Sequence, residues 1–114
     1  MRRSMLFLPG NTPNIIVNGE ILGADAVGVN CGHGPALYTN VVANMAAHAT
    51  VPIVCKPNAG MPQILPDGSA RYDMTPAEFA AQMLKIRTAG ATLLGGCCGT
   101  TPEYIRALHK ALQE

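Results

Sequence analysis

The chain alternates short apolar runs with helical segments, and it does so four times. Each run lacks polar alternation and ends at Gly, Asn or Cys, which is typical of a strand buried in a parallel sheet beneath helices. Parallel strands joined by helices take right-handed crossovers. The four runs are SMLFLPG, DAVGVNCG, VPIVCKPNAG and ATLLGGCCGT. The alternation therefore predicts four consecutive βα units in a single α/β domain that spans residues 1–114.

Thr-Pro pairs mark where the helices begin. Thr75-Pro76 and Thr101-Pro102 each place Thr at the N-cap and Pro at the first helical position. Thr12-Pro13 repeats the pattern less cleanly, and Gly23 and Gly90 occupy positions suited to helix C-termini. The longest connection, GMPQILPDGSARYDM, is rich in Pro, Gly and Asp and follows a strand end. It predicts a loop of the lid or substrate-binding kind.

Four βα units are half of a (βα)8 barrel, which needs about 250 residues. Such a half would have two open sheet edges and an uncovered apolar inner face. Hydrophobic residues make up 48% of the chain and charged residues only 13%, so more apolar surface is available than one short chain covers. The sequence therefore predicts a (βα)4 half-barrel that closes with a second copy as a homodimer. A flat four-stranded α/β sheet is the alternative.

Charge and hydropathy narrow the class of partner. The net charge is +1, with no basic stripe that would indicate nucleic acid. No apolar run reaches the roughly 18 residues of a membrane span. The apolar stretch at residues 5–8 is too short for a signal peptide and is followed by Pro9 and Gly10. We therefore predict a cytoplasmic protein that binds neither nucleic acid nor a membrane.

Three cysteines are predicted to meet at one edge of the sheet. Cys31 ends the second strand, and Cys97 and Cys98 end the fourth. The carboxyl ends of parallel strands share an edge, and alternate strands of a barrel contribute side chains to the same layer. Neighbouring residues of a strand point to opposite faces, so the glycines around Cys97 and Cys98 are needed to turn both thiols toward one metal.

Three thiolates fit Zn²⁺, with a fourth position left open for a thiol substrate whose pKa the metal would lower. Core packing and a redox pair remain alternatives for Cys97 and Cys98, although a disulfide between adjacent cysteines is strained. A phosphate site at GGCCGTTP is disfavoured, because the stretch lacks the P-loop lysine and the GxGxxG spacing.

The remaining candidate residues flank the strand ends. Cys55 lies inside the apolar run VPIVCKP and is predicted to be a core residue. His33 could be a fourth metal ligand or an unbound loop histidine. Lys56 ends a strand, and with Asn30 and Asn58 it is a candidate for substrate binding.

Several pieces of the chain resemble the C-terminal half of the homocysteine S-methyltransferase family, in the same order and at the same spacing. They cover about residues 22–112 and are GADAVGVNCGHGP, PIVCKPNAGMP, YDMTPAEFA and GGCCGTTPEYIRAL. The resemblance implies a (βα)8 barrel with zinc held by Cys31, Cys97 and Cys98. It also implies methyl transfer to the thiol of homocysteine to give methionine. The donors in the family include methylfolate through methylcobalamin, betaine and S-methylmethionine. Cys55 has no role in this pattern.

The N-terminus departs from that family, which has four more strands before GVNC. Here residues 1–25 instead resemble the start of the citrate lyase β-subunit (HpcH/HpaI aldolase) family, joined to a methyltransferase-like segment at residues 26–114. The resemblance implies either an engineered or recombined chimera or a natural short relative. The aldolase metal carboxylates are absent, and a thioester lyase would depend on Arg2 and Arg3 alone. The two main hypotheses for function are a zinc-thiolate S-methyltransferase-like domain and a non-catalytic engineered or recombined half-barrel that self-assembles, and the thioester lyase is a third, weaker one.

Overall fold

The computed structural model describes residues 5–7, 23–32 and 34–114. In chain order the elements are β1 (Met5–Phe7), β2 (Ala26–Cys31), α1 (Pro35–Ala46), β3 (Ile53–Pro57), β4 (Pro62–Ile64), β5 (Ala70–Tyr72), α2 (Pro76–Ala89), β6 (Leu93–Leu94) and α3 (Pro102–Leu112). The alternation of strands and helices is confirmed from β2 onward. The described residues do not include Arg2, Arg3, His33 or the helix predicted after Thr12-Pro13. Within the described ranges, no helix has the length and apolar character needed to cross a bilayer.

One parallel sheet carries the core. Its strands lie in the order β1, β2, β3, β6, each paired in parallel with the next. Val29 lies opposite Cys55, which in turn lies opposite Leu94. This row of side chains packs against the three helices of the described ranges, which contribute Val42, Met45, Phe79, Met83, Ile86 and Leu108 to the core cluster. The helices therefore cover one face of the sheet.

The other face of the sheet carries the alternate residues. Gly28 lies opposite Val54, which lies opposite Leu93, and Asn30 lies opposite Lys56. A Cβ at position 28 would collide with the backbone and side chain of Val54, so this close strand approach requires glycine. Leu93, on β6 at the margin of the sheet, is 45% exposed. Polar residues therefore lie at the carboxyl end of this face, and an uncovered leucine lies at its margin.

The long connection after β3 was predicted to be a loop, and this is wrong in part, because it contains the antiparallel β4–β5 hairpin. Turn chemistry builds the hairpin, since the backbone N–H and the hydroxyl of Ser69 both donate to Asp67 Oδ1, at 2.9 and 2.6 Å. Gly68 supplies the positive φ of 87°. Because the strands are short and almost entirely exposed, they leave no apolar pattern in the sequence.

The helix starts follow the predicted Thr-Pro pairs, but the two caps differ. Thr75 forms a reciprocal capping box with Glu78: Glu78 N donates to Thr75 Oγ1 at 3.2 Å, and Thr75 N donates to Glu78 Oε2 at 2.8 Å. Thr101 precedes α3 in the same extended conformation, yet its side chain makes no capping hydrogen bond. Gly90 ends α2 with φ of 132°, as predicted.

This difference predicts unequal effects of two matched substitutions. Thr75→Ala removes a side chain that accepts from a helix N–H, so the free energy of unfolding is expected to fall by about 1 kcal/mol. Thr101→Ala removes no such bond and is expected to change it by less than about 0.5 kcal/mol. Urea titration followed by circular dichroism measures both, and equal losses would contradict the assignment of the caps.

Candidate metal centre

Three cysteine sulfurs converge at the carboxyl edge of the sheet. Cys31 is the last residue of β2, and Cys97 and Cys98 lie in the loop between β6 and α3. Their Sγ atoms all lie within 4.8 Å of one another, and those of Cys97 and Cys98 are 3.9 Å apart. Cys31 and Cys97 are half-buried, whereas Cys98 is exposed. The predicted meeting of these residues is confirmed, and metal binding by them stays a prediction.

The backbone turns sharply at Cys31. Among the residues that the structure describes, Cys31 is the only non-glycine with a positive φ, at 59°. Such a conformation is uncommon outside glycine and is frequent at functional sites. The hydroxyl of Tyr38 donates to the carbonyl of Asn30 at 3.1 Å and so fixes the strand end beside the turn. Sequence reasoning placed the bends only around Cys97 and Cys98 and missed this one.

A tight turn presents Cys97 and Cys98 together. The backbone N–H of Thr100 donates to the Cys97 carbonyl at 3.2 Å, and its hydroxyl donates to the same carbonyl at 2.5 Å. Thr100 packs so closely on Gly96 that a Cβ there would overlap it. Gly99 takes a positive φ of 79°. The glycines therefore serve this turn as predicted, Gly96 through close approach and Gly99 through its backbone conformation.

Asn58 joins the two cysteine segments. Its side chain is 7% exposed; Nδ2 donates to the Gly32 carbonyl at 2.5 Å, and Oδ1 accepts from Cys98 N at 3.1 Å. β3 lies between β2 and β6, so Asn58, directly after β3, is placed to bond to both cysteine loops through its side chain. The amide nitrogen and the amide oxygen each form a hydrogen bond with the protein backbone. The predicted role of Asn58 in substrate binding stays a prediction.

Backbone hydrogen bonds reinforce this junction. Cys97 N donates to the Pro57 carbonyl at 2.9 Å, and Ala59 N donates to the Cys98 carbonyl at 3.0 Å. On the other side, Asn58 N donates to the Cys31 carbonyl at 3.4 Å. The end of β3 therefore serves as a template on which both cysteine-bearing segments are aligned.

The sulfur atoms of Cys31 and Cys97 are in direct contact as a disulfide, and their Cα atoms are 5.4 Å apart. The bond crosses the end of β3 and does not join the adjacent pair, Cys97 and Cys98. Cys98 keeps a free thiol. Metal ligands must be thiolates, so the disulfide and a three-cysteine metal site are alternative states of the same sulfurs.

The other polar candidates border this cluster. Nδ2 of exposed Asn30 donates to Cys31 Sγ at 3.7 Å. Lys56 is half-buried, and its side chain packs along Gly95, where an added Cβ would come within 3.1 Å of it. The register places Asn30 opposite Lys56 on the same face of the sheet. Substrate binding by Asn30 and Lys56 is untested by these contacts and stays a prediction.

Cys55 is a core residue, as predicted. It is 0% exposed and packs within the main hydrophobic cluster, away from the other three cysteines. Burial raises the pKa of its thiol to about 12. The protonated thiol is therefore the form that the folded chain accommodates, and Cys55 is excluded from thiolate chemistry near neutral pH.

The raised pKa of Cys55 predicts a loss of stability at alkaline pH. An unfolded cysteine has a pKa of about 8.5, so the protonated Cys55 thiol contributes its full stabilisation of the folded chain below that pH. That contribution is lost as pH rises toward the folded pKa of about 12. Between pH 8 and 10, the free energy of unfolding is expected to fall more steeply in the wild-type chain than in Cys55→Ala. Urea titrations at three pH values measure both slopes, and parallel slopes would contradict the prediction.

Sequence reasoning missed Tyr72, which the hairpin brings to the cluster. Its ring lies against Gly99, where an added Cβ would overlap the ring atoms. Burial raises the pKa of Tyr72, and the charge and hydrogen bonding of the neighbouring Cys98 side chain raise it further. The only sequence signal for this placement was the Asp67-Gly68 turn, because that turn connects the two strands in which Tyr72 pairs with Pro62.

Comparisons with known proteins agree on one family. The model of the homocysteine S-methyltransferase family matches residues 8–112. Methionine synthases of Mycobacterium leprae (strain TN) and Mycobacterium tuberculosis (strain ATCC 25618 / H37Rv) are each 40% identical to the chain over 94 residues. These alignments cover 82% of this chain but 8% of the relatives, so the chain spans a small part of their length. The separate origin of residues 1–25 stays a prediction.

Solved structures of a homocysteine methyltransferase are also similar to the chain. The apo form of the homocysteine methyltransferase MmuM from Escherichia coli matches with a TM-score of 0.64 and 26% identity, over 87% of this chain and 32% of that one. Its oxidized form matches with a TM-score of 0.65 and 25% identity, over 86% of this chain and 29% of that one. The α/β fold described above is therefore similar to part of these proteins.

Proposed function

The chain belongs to the homocysteine S-methyltransferase family, and from this we propose that it holds Zn²⁺ on Cys31, Cys97 and Cys98 and presents a thiol such as homocysteine for methylation. The observation that carries the proposal is the convergence of the three Sγ atoms within 4.8 Å. Zinc accepts thiolate ligands in tetrahedral sites, and three protein ligands leave one position for a substrate.

The residues at the proposed zinc site have different roles. Cys31 and Cys97 are half-buried and lie on the protein side of the cluster, while exposed Cys98 lies on the solvent side, where a thiol would arrive. Asn58 holds the two cysteine segments in register through Gly32 and Cys98. When bound, the metal would lower the pKa of the incoming thiol. We place this chemistry in the cytoplasm, where reducing conditions keep the cysteines as thiols.

The proposed reaction forms a sulfur–carbon bond. The thiol loses its proton to solvent, its sulfur bonds to the methyl carbon, and the bond between that carbon and the donor breaks with its electron pair staying on the donor. Homocysteine would give methionine. The donor is proposed only as an activated methyl compound, such as betaine, S-methylmethionine, or methylcobalamin that has received its methyl group from methylfolate. Asn30 and Lys56, opposite each other beside the cluster, are proposed to contact the substrate.

Zinc binding is the direct test. The reduced, zinc-supplied chain is expected to hold one zinc per chain by native mass spectrometry, and Co²⁺ substitution is expected to give thiolate-to-metal charge-transfer absorption. The same chain kept oxidised is the control, because its Cys31–Cys97 disulfide removes two ligands. A reduced chain that holds no metal would rule out the proposed centre. Methylation of homocysteine with each donor class then tests turnover separately.

A second candidate function is a self-assembling half-barrel without catalysis, engineered or recombined, and the margin of the sheet favours assembly. β6 has two residues, and beside it lies an open groove lined by Arg87, Ala91, Thr92, Leu93, Leu94 and Leu112. Leu93 is 45% exposed there. We propose that a second copy of the chain covers this margin and closes a barrel as a homodimer.

Light scattering over a range of concentrations tests the dimer. The wild-type chain is expected to have twice the mass of one chain, and Leu93→Lys is expected to be monomeric because it places a charge in the proposed interface. Ile105→Lys is the matched control, since Ile105 is 43% exposed on α3, outside the groove. A folded wild-type monomer, or equal behaviour of the two variants, would exclude this interface.

A further inference from the structure

The β4–β5 hairpin reaches the metal centre through one side chain. Tyr72, the last residue of β5, lies with its ring on Gly99, next to the exposed thiol of Cys98. Cγ and both Cδ atoms of the ring occupy the space that a Cβ on Gly99 would need. Gly99 also has a positive φ of 79°, so its backbone conformation and this contact both require glycine.

The base of the hairpin is fixed relative to the cysteines. Met61 N donates to Asp73 Oδ1 at 3.1 Å and closes the hairpin base. Met74 N donates to the Ala59 carbonyl at 3.3 Å, and Ala59 N donates to the Cys98 carbonyl at 3.0 Å. The Tyr104 hydroxyl donates to the Met74 carbonyl and ties the same segment to α3. Tyr72 therefore approaches the cysteine turn from an anchored position.

We propose that Tyr72 is a positioning residue of the metal centre: its ring, packed on Gly99, holds the Cys97–Cys98 turn so that both sulfurs face Cys31. This inference rests on the proposed zinc site and adds to it a residue that the cysteine pattern does not contain. Cys98 is the most exposed of the three ligands, and its backbone is held by Asn58 and Ala59, so the Tyr72 ring adds a contact to the same turn through Gly99.

Zinc affinity of the full reduced chain, measured by competition with a chromophoric chelator, tests the proposal. Tyr72→Ala is expected to lower the affinity about 10- to 100-fold, the range seen when residues that orient metal ligands are lost. Tyr72→Phe keeps the ring and is expected to recover most of that loss. Arg71→Ala, the exposed neighbour on β5, is the control and is expected to match the wild type. Affinity of Tyr72→Ala within twofold of wild type, or equal losses in both Tyr72 variants, would overturn the proposal.

Gly99→Ala supplies a double-mutant cycle. Alone, it forces the Tyr72 ring away, whereas in the Tyr72→Ala background that overlap is gone and only the backbone strain remains. The loss of zinc affinity caused by Gly99→Ala is therefore expected to be smaller in the Tyr72→Ala background. Equal losses in the two backgrounds would show that ring packing does not position the turn.

A metal-free measurement separates this inference from the proposed function. In the reduced chain, the rate of Cys98 alkylation by iodoacetamide, followed by peptide mass spectrometry, is expected to rise several-fold in Tyr72→Ala because the ring shields one side of the turn. The melting temperature of each variant is measured in parallel. If the wild-type chain binds no zinc, the proposed function fails while this rate still tests Tyr72. An unchanged rate would contradict positioning by the ring.

Discussion

Replacing Cys97 with serine is expected to lower the zinc affinity of the reduced chain by more than about 100-fold, beyond the range produced by losing a residue that only orients a ligand. Serine offers a neutral hydroxyl in place of a thiolate, and a hydroxyl is a much weaker zinc ligand than a thiolate. The loss should be large because Cys97 lies close to both other sulfurs: it contacts Cys31 and lies 3.9 Å from Cys98.

The fold should tolerate this change. The hydrogen bonds of Cys97 to Pro57 and Thr100 run through its backbone, so serine keeps them. Circular dichroism of the variant is therefore expected to match that of the reduced wild type. Cys55→Ala is the matched control, because it removes a cysteine of the core and leaves the cluster complete. Zinc affinity of Cys97→Ser within tenfold of wild type, measured under reducing conditions, would exclude Cys97 as a ligand.

The features that the sequence predicted are those with a local or periodic signal. The apolar runs predicted the strands because burial of both faces removes polar alternation, as in the neighbouring residues Val27 and Gly28 of β2, which are both buried. Thr75 and Glu78 are three residues apart, so their capping box follows from local spacing. The meeting of Cys31 with Cys97 and Cys98 follows from parallel topology, which brings strand ends to one edge.

The features that the sequence missed depend on contacts between distant segments or on exposed strands. Asn58 bonds to Gly32, 26 residues away, and to Cys98, 40 residues away, and no spacing rule connects them. The β4–β5 hairpin has exposed strands, so hydrophobic periodicity does not mark it. Tyr72 could be placed on Gly99 only after that hairpin was known. Much of the support around the cysteines is therefore tertiary.

Asn58→Ala is expected to lower both stability and zinc affinity. The substitution leaves the Gly32 carbonyl and the Cys98 N–H without their partner at a position where the side chain is 7% exposed. Each lost partner of a buried polar group costs about 1 to 3 kcal/mol, so the free energy of unfolding of the metal-free chain should fall by about 3 kcal/mol. Zinc affinity should fall about 10- to 100-fold, because the two cysteine segments lose their shared anchor.

Asn30→Ala is the control for stability, since Asn30 is an exposed amide in the same region and its loss should change the free energy of unfolding by less than about 0.5 kcal/mol. Urea titration of the reduced, metal-free chains compares the two variants. A loss in Asn58→Ala no larger than that in Asn30→Ala would mean that the two hydrogen bonds do not hold the junction.

Asn58→Asp separates the donor from the acceptor of the same side chain. An aspartate keeps an oxygen for Cys98 N but brings a second oxygen against the Gly32 carbonyl, where the wild-type amide donates. Repulsion and burial would raise the pKa of this carboxyl in the folded state, since the protonated form can donate to Gly32. The stability of this variant is therefore expected to rise as pH falls from 8 to 5, because a raised folded-state pKa favours the protonated, folded chain. Asn58→Ala has no group to protonate and should show no such recovery, so parallel pH profiles for the two variants would exclude the hydrogen bond to Gly32 as the stabilising contact.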